Sequence, residues 1–165
     1  MILICYDGSP DSRAAIEHGA ELLKGEPATV LTVWQPFIEV LAHTSAGFGL
    51  TPGMVDIEEI DAATRKSAEG RAEEGAALAR AAGLDAQPRV CSQATTTAAA
   101  ILSAADEVGA SAIVIGSRGL TGLKSLLLGS VSHAVIQHAD RTVIVVPSSD
   151  VAVARERARR SHPSG

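Results

Sequence analysis

Five short apolar runs alternate with longer stretches of helical periodicity, and this alternation narrows the possible folds more than any other feature of the chain. The runs are Ile2 to Tyr6, Ala28 to Trp34, Ala86 to Ser92, Ala112 to Ile115 and Thr142 to Val146. Each has strand length, and helical patterns lie between them. Such a chain pairs its strands in parallel and covers both faces of the sheet with helices. The composition is 46% hydrophobic but only 2% aromatic, so Ala-rich helices must pack close on a Val/Ile sheet. At 165 residues the chain is expected to form one domain with a sizeable core.

The helices have readable ends. Asp11 or Ser12 is expected to cap a helix running to about Lys24, which Gly25-Glu26-Pro27 stops. Asp56 caps a long helix from Ile57 to about Ala82, with a thin small-residue stripe through Ala68, Ala72, Ala76 and Ala79. A further helix is expected over Thr95 to Val108 with a threonine cap, and a last one over Val131 to Ala139. The connection Gln35 to Asp56 carries Pro36, Gly47, Gly49, Pro52 and Gly53 and is longer than most strand-to-helix loops. It reads as a lid, as an ordered partner surface or as a surface insertion. The tail Ser148 to Gly165 holds Arg155, Arg157, Arg159 and Arg160 without a core pattern and reads as a solvated, mobile basic segment.

The bulk charge excludes some partners. A net charge of −5 gives no basic face for general nucleic-acid binding. No apolar stretch reaches membrane-spanning length, and Met1-Ile2-Leu3-Ile4 enters a strand without a basic leader, so a cytoplasmic protein is expected. The two cysteines, Cys5 and Cys91, fall in separate strands and are expected as reduced thiols. His133 and His138 are five apart on one helix and do not share a face, so no metal pair is expected.

The chemistry concentrates in one glycine pattern. Gly116-Ser117-Arg118-Gly119 follows the fourth apolar run, and after nine intervening residues comes Gly129-Ser130, opening the last helix. Glycines let main-chain N–H groups approach an anion, and a helix start adds unpaired N–H groups and the positive end of its dipole. Gly122 adds a third glycine to the loop, Arg118 and Lys124 add positive charge, and Ser130, Val131 and Ser132 offer hydroxyls or N–H groups. Gly116 and Gly119 can equally be turn formers. Asp7, at the end of the first run, is an acceptor suited to ribose or an adenine edge, or a turn residue. The end of the second run, Thr32-Val33-Trp34, can meet a base through its main chain. No Gly-Lys-Ser/Thr ends the loop, and no Gly-x-Gly-x-x-Gly follows the first strand.

These segments resemble the universal stress protein family, in its ATP-binding subgroup. Tyr6-Asp7-Gly8-Ser9 is similar to the family's first strand-to-helix turn. Ile113 to Gly119 resembles its fourth-strand signature, Leu126 to Ser132 its phosphate-loop exit and Val143 to Pro147 its last strand. The resemblance spans residues 1–147, leaving 148–165 as a tail. It implies a doubly wound, five-stranded parallel sheet in the order 3-2-1-4-5. It also implies ATP, or ADP or AMP, between the first and fourth strand ends, with any Mg2+ or Mn2+ held through the phosphates. Cys5, Tyr6, Asp7 and Val33 would then border the ribose and adenine. Gly116, Ser117, Arg118, Gly119, Gly122, Gly129, Ser130, Val131 and Ser132 would surround the phosphates and ribose. A homodimer through the edge Thr142 to Val146 is implied as well. Gln93-Ala94-Thr95 departs from the Gly-x-Pro turn common after the third strand. No Walker-type acid or water-positioning Gln is identifiable, so a nucleotide sensor with at most slow hydrolysis is expected. The alternatives are a slow ATPase or phosphotransferase, a cyclic-AMP binder, and an interaction module that needs no nucleotide.

Overall fold

The computed structural model describes residues 1–43, 56–93, 95–119 and 128–147, with the side chains of 41–43 excepted. Its strands are β1 (Ile2–Cys5), β2 (Pro27–Trp34), β3 (Asp85–Ser92), β4 (Ala112–Gly116) and β5 (Thr142–Val146). Its helices are α1 (Pro10–Leu22), α2 (Phe37–His43), α3 (Ile57–Ala81), α4 (Thr97–Glu107) and α5 (Ser130–His138). All strand pairs are parallel, and the sheet order is β3-β2-β1-β4-β5, as the resemblance implied.

Alternation along β1 divides the core into two layers. Ile2, Ile4 and Tyr6 pack with Ala15, Ile16, Ala20, Ala76 and Ala79 of α1 and α3. Leu3 and Cys5 pack with Ile101, Ala104 and Ala105 of α4 and Val135 of α5. Small residues let the helices lie close: a Cβ on Gly75 of α3 would stand 2.7 Å from the Tyr6 ring and 2.9 Å from Val30. The Tyr6 hydroxyl donates to Glu74 at 3.0 Å, and Arg13 of α1 forms an ion pair with the same carboxylate. β1 is thereby tied to both helices on that face.

Several ends differ from expectation. Ser9, not Asp11 or Ser12, caps α1, its hydroxyl accepting from the Ser12 N–H, and Pro10 takes the first helical position, where a missing N–H costs nothing. Asp56 caps α3 as expected. Thr96 caps α4, which begins two residues later than read, despite the departure at Gln93-Ala94-Thr95. The connection after β2 contains α2: Pro36 accepts the N–H groups of Glu39 and Val40, and the Asp61 carboxylate accepts that of Phe37 at 2.7 Å. The remainder of that connection, 44–55, and the tail 148–165 lie outside the described residues. Cys5 and Cys91 are free thiols on strands separated by β2.

Candidate functional site

Strand order reverses between β1 and β4, which diverge at their carboxyl ends. A cavity of about 450 Å3 opens there, within the range of small-molecule sites. Eleven of the thirteen residues singled out from sequence line it: Cys5, Tyr6, Asp7, Val33, Gly116, Arg118, Gly119, Gly129, Ser130, Val131 and Ser132. Ser117 does not, and Gly122, with Lys124, lies outside the described residues.

Asp7 follows β1 and keeps a turn role: its Oδ1 accepts the Ser9 N–H at 2.9 Å. Its Oδ2 reaches across to Gly119, where a Cβ would stand 2.7 Å away. The carboxylate thus holds the turn and also borders the cavity.

Gly116 has a different reason for being glycine. A Cβ there would meet the Asp11 main chain at 2.8 Å, so this residue lets β4 pass beneath the start of α1. Gly129 would meet the Ser117 carbonyl at 3.3 Å, where the chain returns past the end of β4. The Gly129 N–H donates to that carbonyl at 2.7 Å, and the Ser132 hydroxyl lies 2.9 Å from it. Ser117 is thus a clasp. Its own N–H donates to Val146 and its hydroxyl to Asp11, and it is buried beside the cavity. Arg118, read as positive charge for an anion, lines the cavity and has its Nε 3.5 Å from Oδ2 of Asp11.

These bonds aim the start of α5 at the cavity. Gly129 caps α5 without a side chain, and the first N–H groups, of Ser130 and Val131, have no acceptor within the helix. Anions are favoured at such an end. The opposite wall comes from β2. The Tyr6 N–H donates to the Leu31 carbonyl at 2.8 Å, and the Tyr6 carbonyl then takes the Thr32 hydroxyl at 2.8 Å. The ladder with β2 ends there. Because alternate residues of a parallel strand face the same neighbour, the Val33 main chain turns into the space past β1.

Two residues singled out from sequence act differently from a polar contact. The Tyr6 ring lies on the α3 face, with both main-chain groups and the hydroxyl engaged, so Tyr6 contributes wall. Burial, with the nearby Cys91 and Asp7 adding to it, pushes the Cys5 thiol up to about 12, so it stays a protonated, apolar surface.

Sequence reasoning missed Ser12, Leu31, Thr97, Ile101 and Ile115, which also line the cavity. Leu31 shares the two-residue strand period with Val33, and Ile115 directly precedes Gly116 at the end of β4; both were read as core. Thr97 and Ile101 open α4 and carry no distinguishing pattern. Among the described residues, no group of three His, Cys, Asp or Glu is placed to hold a metal ion, and no helix is long and apolar enough to cross a membrane.

Comparison with known proteins agrees with this architecture. The model of the universal stress protein family matches residues 1–147. Universal stress protein YxiE of Bacillus subtilis is 33% identical over 147 residues, covering 88% of this chain and 97% of that protein. The universal stress protein of Archaeoglobus fulgidus superposes with a TM-score of 0.61 at 26% identity, over 88% of this chain and 96% of that one. The protein MJ0577 superposes with a TM-score of 0.71 at 24% identity, over 90% and 95%. Other structures with this fold were determined in complex with dAMP, in complex with cAMP and with AMP bound. The chain belongs to the universal stress protein family.

Proposed function

We propose that the crevice between β1 and β4 binds an adenine nucleotide, with ATP the ligand expected from sequence and ADP or AMP sharing the site, and that the protein acts as a nucleotide sensor. The observation that carries this reading is the convergence of three elements on one cavity: the unpaired N–H groups opening α5, the Asp7 carboxylate, and the β2 main chain at Val33. The phosphates lie against Gly119, Gly129, Ser130 and Val131. Asp7 accepts from the ribose. Val33 meets the adenine edge through its main chain, and Leu31, Ile101 and Ile115 enclose the base. The nucleotides held by solved relatives of the same fold support this assignment.

Residues 1–147 form the binding domain in this reading, and 148–165 a tail. Mg2+ or Mn2+, where present, is held mainly by phosphate oxygens and water. Asp7, the carboxylate that lines the cavity, is assigned to the ribose in this reading, so at most slow hydrolysis is expected. β5 is an edge strand of four β-branched aliphatic residues and one threonine, and a second copy pairing there gives the homodimer.

Isothermal titration with ATP, ADP, AMP, cAMP and GTP tests the reading. Saturable binding of one or more adenine nucleotides, with GTP weaker, supports it. Absence of binding by all five leaves a nucleotide-independent interaction module. Turnover of ATP above about 1 s−1 makes the protein an enzyme instead.

A further inference from the structure

We infer that Thr97, with its hydroxyl proton held by Gln93, is the residue by which this crevice tells a 6-amino purine from a 6-oxo purine. This deepens the nucleotide reading above and rests on it. Among the described residues that line the cavity, β2 and α4 contribute Leu31, Val33, Thr97 and Ile101. Three of these are aliphatic. Thr97, one helical turn before Ile101, is the one with a polar side chain. A base enclosed by these walls is therefore oriented by main-chain groups and by what Thr97 offers it.

A threonine hydroxyl can donate or accept, and its neighbour decides which. The Thr97 hydroxyl lies 2.7 Å from Oε1 of Gln93. The other side of that amide sets its orientation: Nε2 lies 3.4 Å from the Thr95 carbonyl oxygen, which can only accept. The amide oxygen therefore faces Thr97 and takes its proton, and the hydroxyl keeps lone pairs for a ligand. Gln93 is itself tied to β2, because its N–H donates to the Trp34 carbonyl at 2.8 Å. Trp34 directly follows Val33, whose main chain meets the base edge in the reading above, so these bonds tie Thr97 to the same end of the cavity. An acceptor there takes an N–H of a 6-amino group. It opposes the 6-oxo group of hypoxanthine or guanine, lone pair against lone pair, and a polar group left unpaired on burial is costly. Gln93 acts through Thr97 and is a positioning residue. It opens the Gln93-Ala94-Thr95 stretch that departs from the Gly-x-Pro turn, and this gives the departure a role.

The test measures Kd for ATP and for inosine triphosphate, which carries a 6-oxo group in place of the 6-amino group. The chains are the unsubstituted protein, Thr97→Val, Gln93→Leu, Gln93→Glu and the double variant Thr97→Val with Gln93→Leu. The unsubstituted chain is expected to prefer ATP. Thr97→Val keeps the shape but removes the acceptor, and is expected to lower that preference about fivefold, chiefly by weakening ATP. Gln93→Leu frees the hydroxyl to donate to a 6-oxo group, and is expected to lower the preference by a similar factor, chiefly by tightening inosine triphosphate. Gln93→Glu still takes the hydroxyl proton and is expected to keep the preference of the unsubstituted chain. The double variant is expected to fall no further than Thr97→Val alone. A purely structural role moves both affinities together, so an unchanged ratio in Thr97→Val overturns the inference. An unchanged ratio in Gln93→Leu overturns it as well, and so does a loss of preference in Gln93→Glu equal to that in Gln93→Leu. If the unsubstituted chain binds neither nucleotide, the functional reading fails first, a result distinct from a chain that binds both but whose ratio ignores Thr97.

Discussion

The Oδ2 atom of Asp7 stands 2.7 Å from the position that a Cβ on Gly119 would occupy. The carboxylate cannot simply retreat, because its other oxygen holds the Ser9 N–H at 2.9 Å. Gly119 is exposed, so a methyl there has little effect on the core. Gly119→Ala is therefore expected to displace Asp7 and weaken adenine-nucleotide binding by about 1.5–3 kcal/mol, roughly ten- to a hundredfold, with a melting temperature close to the parent. Asp7→Ala should show a similar loss, and the double variant little more than either alone. Calorimetric titration of the three variants checks this; fully additive losses contradict the coupling.

Gly116 provides the contrast. A Cβ there meets the Asp11 main chain at 2.8 Å, and main-chain atoms at the start of a packed helix do not yield as a side-chain end does. Gly116→Ala is expected to destabilise the fold by about 1–3 kcal/mol through overpacking. At about 2–4 °C per kcal/mol for a domain of this size, calorimetry resolves the shift. An unchanged melting temperature would show that α1 can move off β4 freely.

How much of this was legible varies with the physical source of the signal. Short continuous apolar runs and glycine punctuation report directly on buried parallel strands, which is why all five strands were recognised, β5 with both ends as read. The lining residues Val33 and Gly129 followed from a strand end and a helix start, and Cys5 from the family resemblance. The partners of Asp11 did not: its contacts, Ser117 and Arg118, lie more than a hundred residues away, and a lone acidic residue beside a helix start looks like a cap. Ser9 took that role because Pro10 suits the first helical position. Ile101 was indistinguishable from core because the part of the cavity that it and Leu31 line is continuous with the core.

Tyr6 is the only tyrosine in the chain, so its titration can be read alone. Burial, and then its hydrogen bond to Glu74, push it from the ordinary value of 10 up to about 12, with Arg13 opposing. The folded value lies above the unfolded one. Its contribution to stability is therefore complete below pH 10 and is lost as pH rises through about 12. Ultraviolet absorbance of the phenolate should show a midpoint near 12. Glu74→Gln should lower it part of the way, since burial remains. A midpoint near 10 in the parent chain contradicts the packing of the ring on α3.

The cysteines are expected to be inert in the folded chain. Burial pushes Cys5 up to about 12 and also raises Cys91. Both should remain thiols at neutral pH and react with iodoacetamide only slowly until the protein is unfolded. Mass spectrometry of native and denatured samples checks this. Rapid native alkylation at Cys5 would mean that the floor of the cavity is open to solvent.

The most direct measurement is to denature freshly purified protein and identify the released small molecules by mass spectrometry, with Gly119→Ala prepared in parallel. Adenine nucleotide released from the unsubstituted chain, and largely missing from the variant, is the expected result. A chain that releases none, and whose melting temperature does not respond to added ATP, AMP or cAMP, would contradict a nucleotide site between β1 and β4.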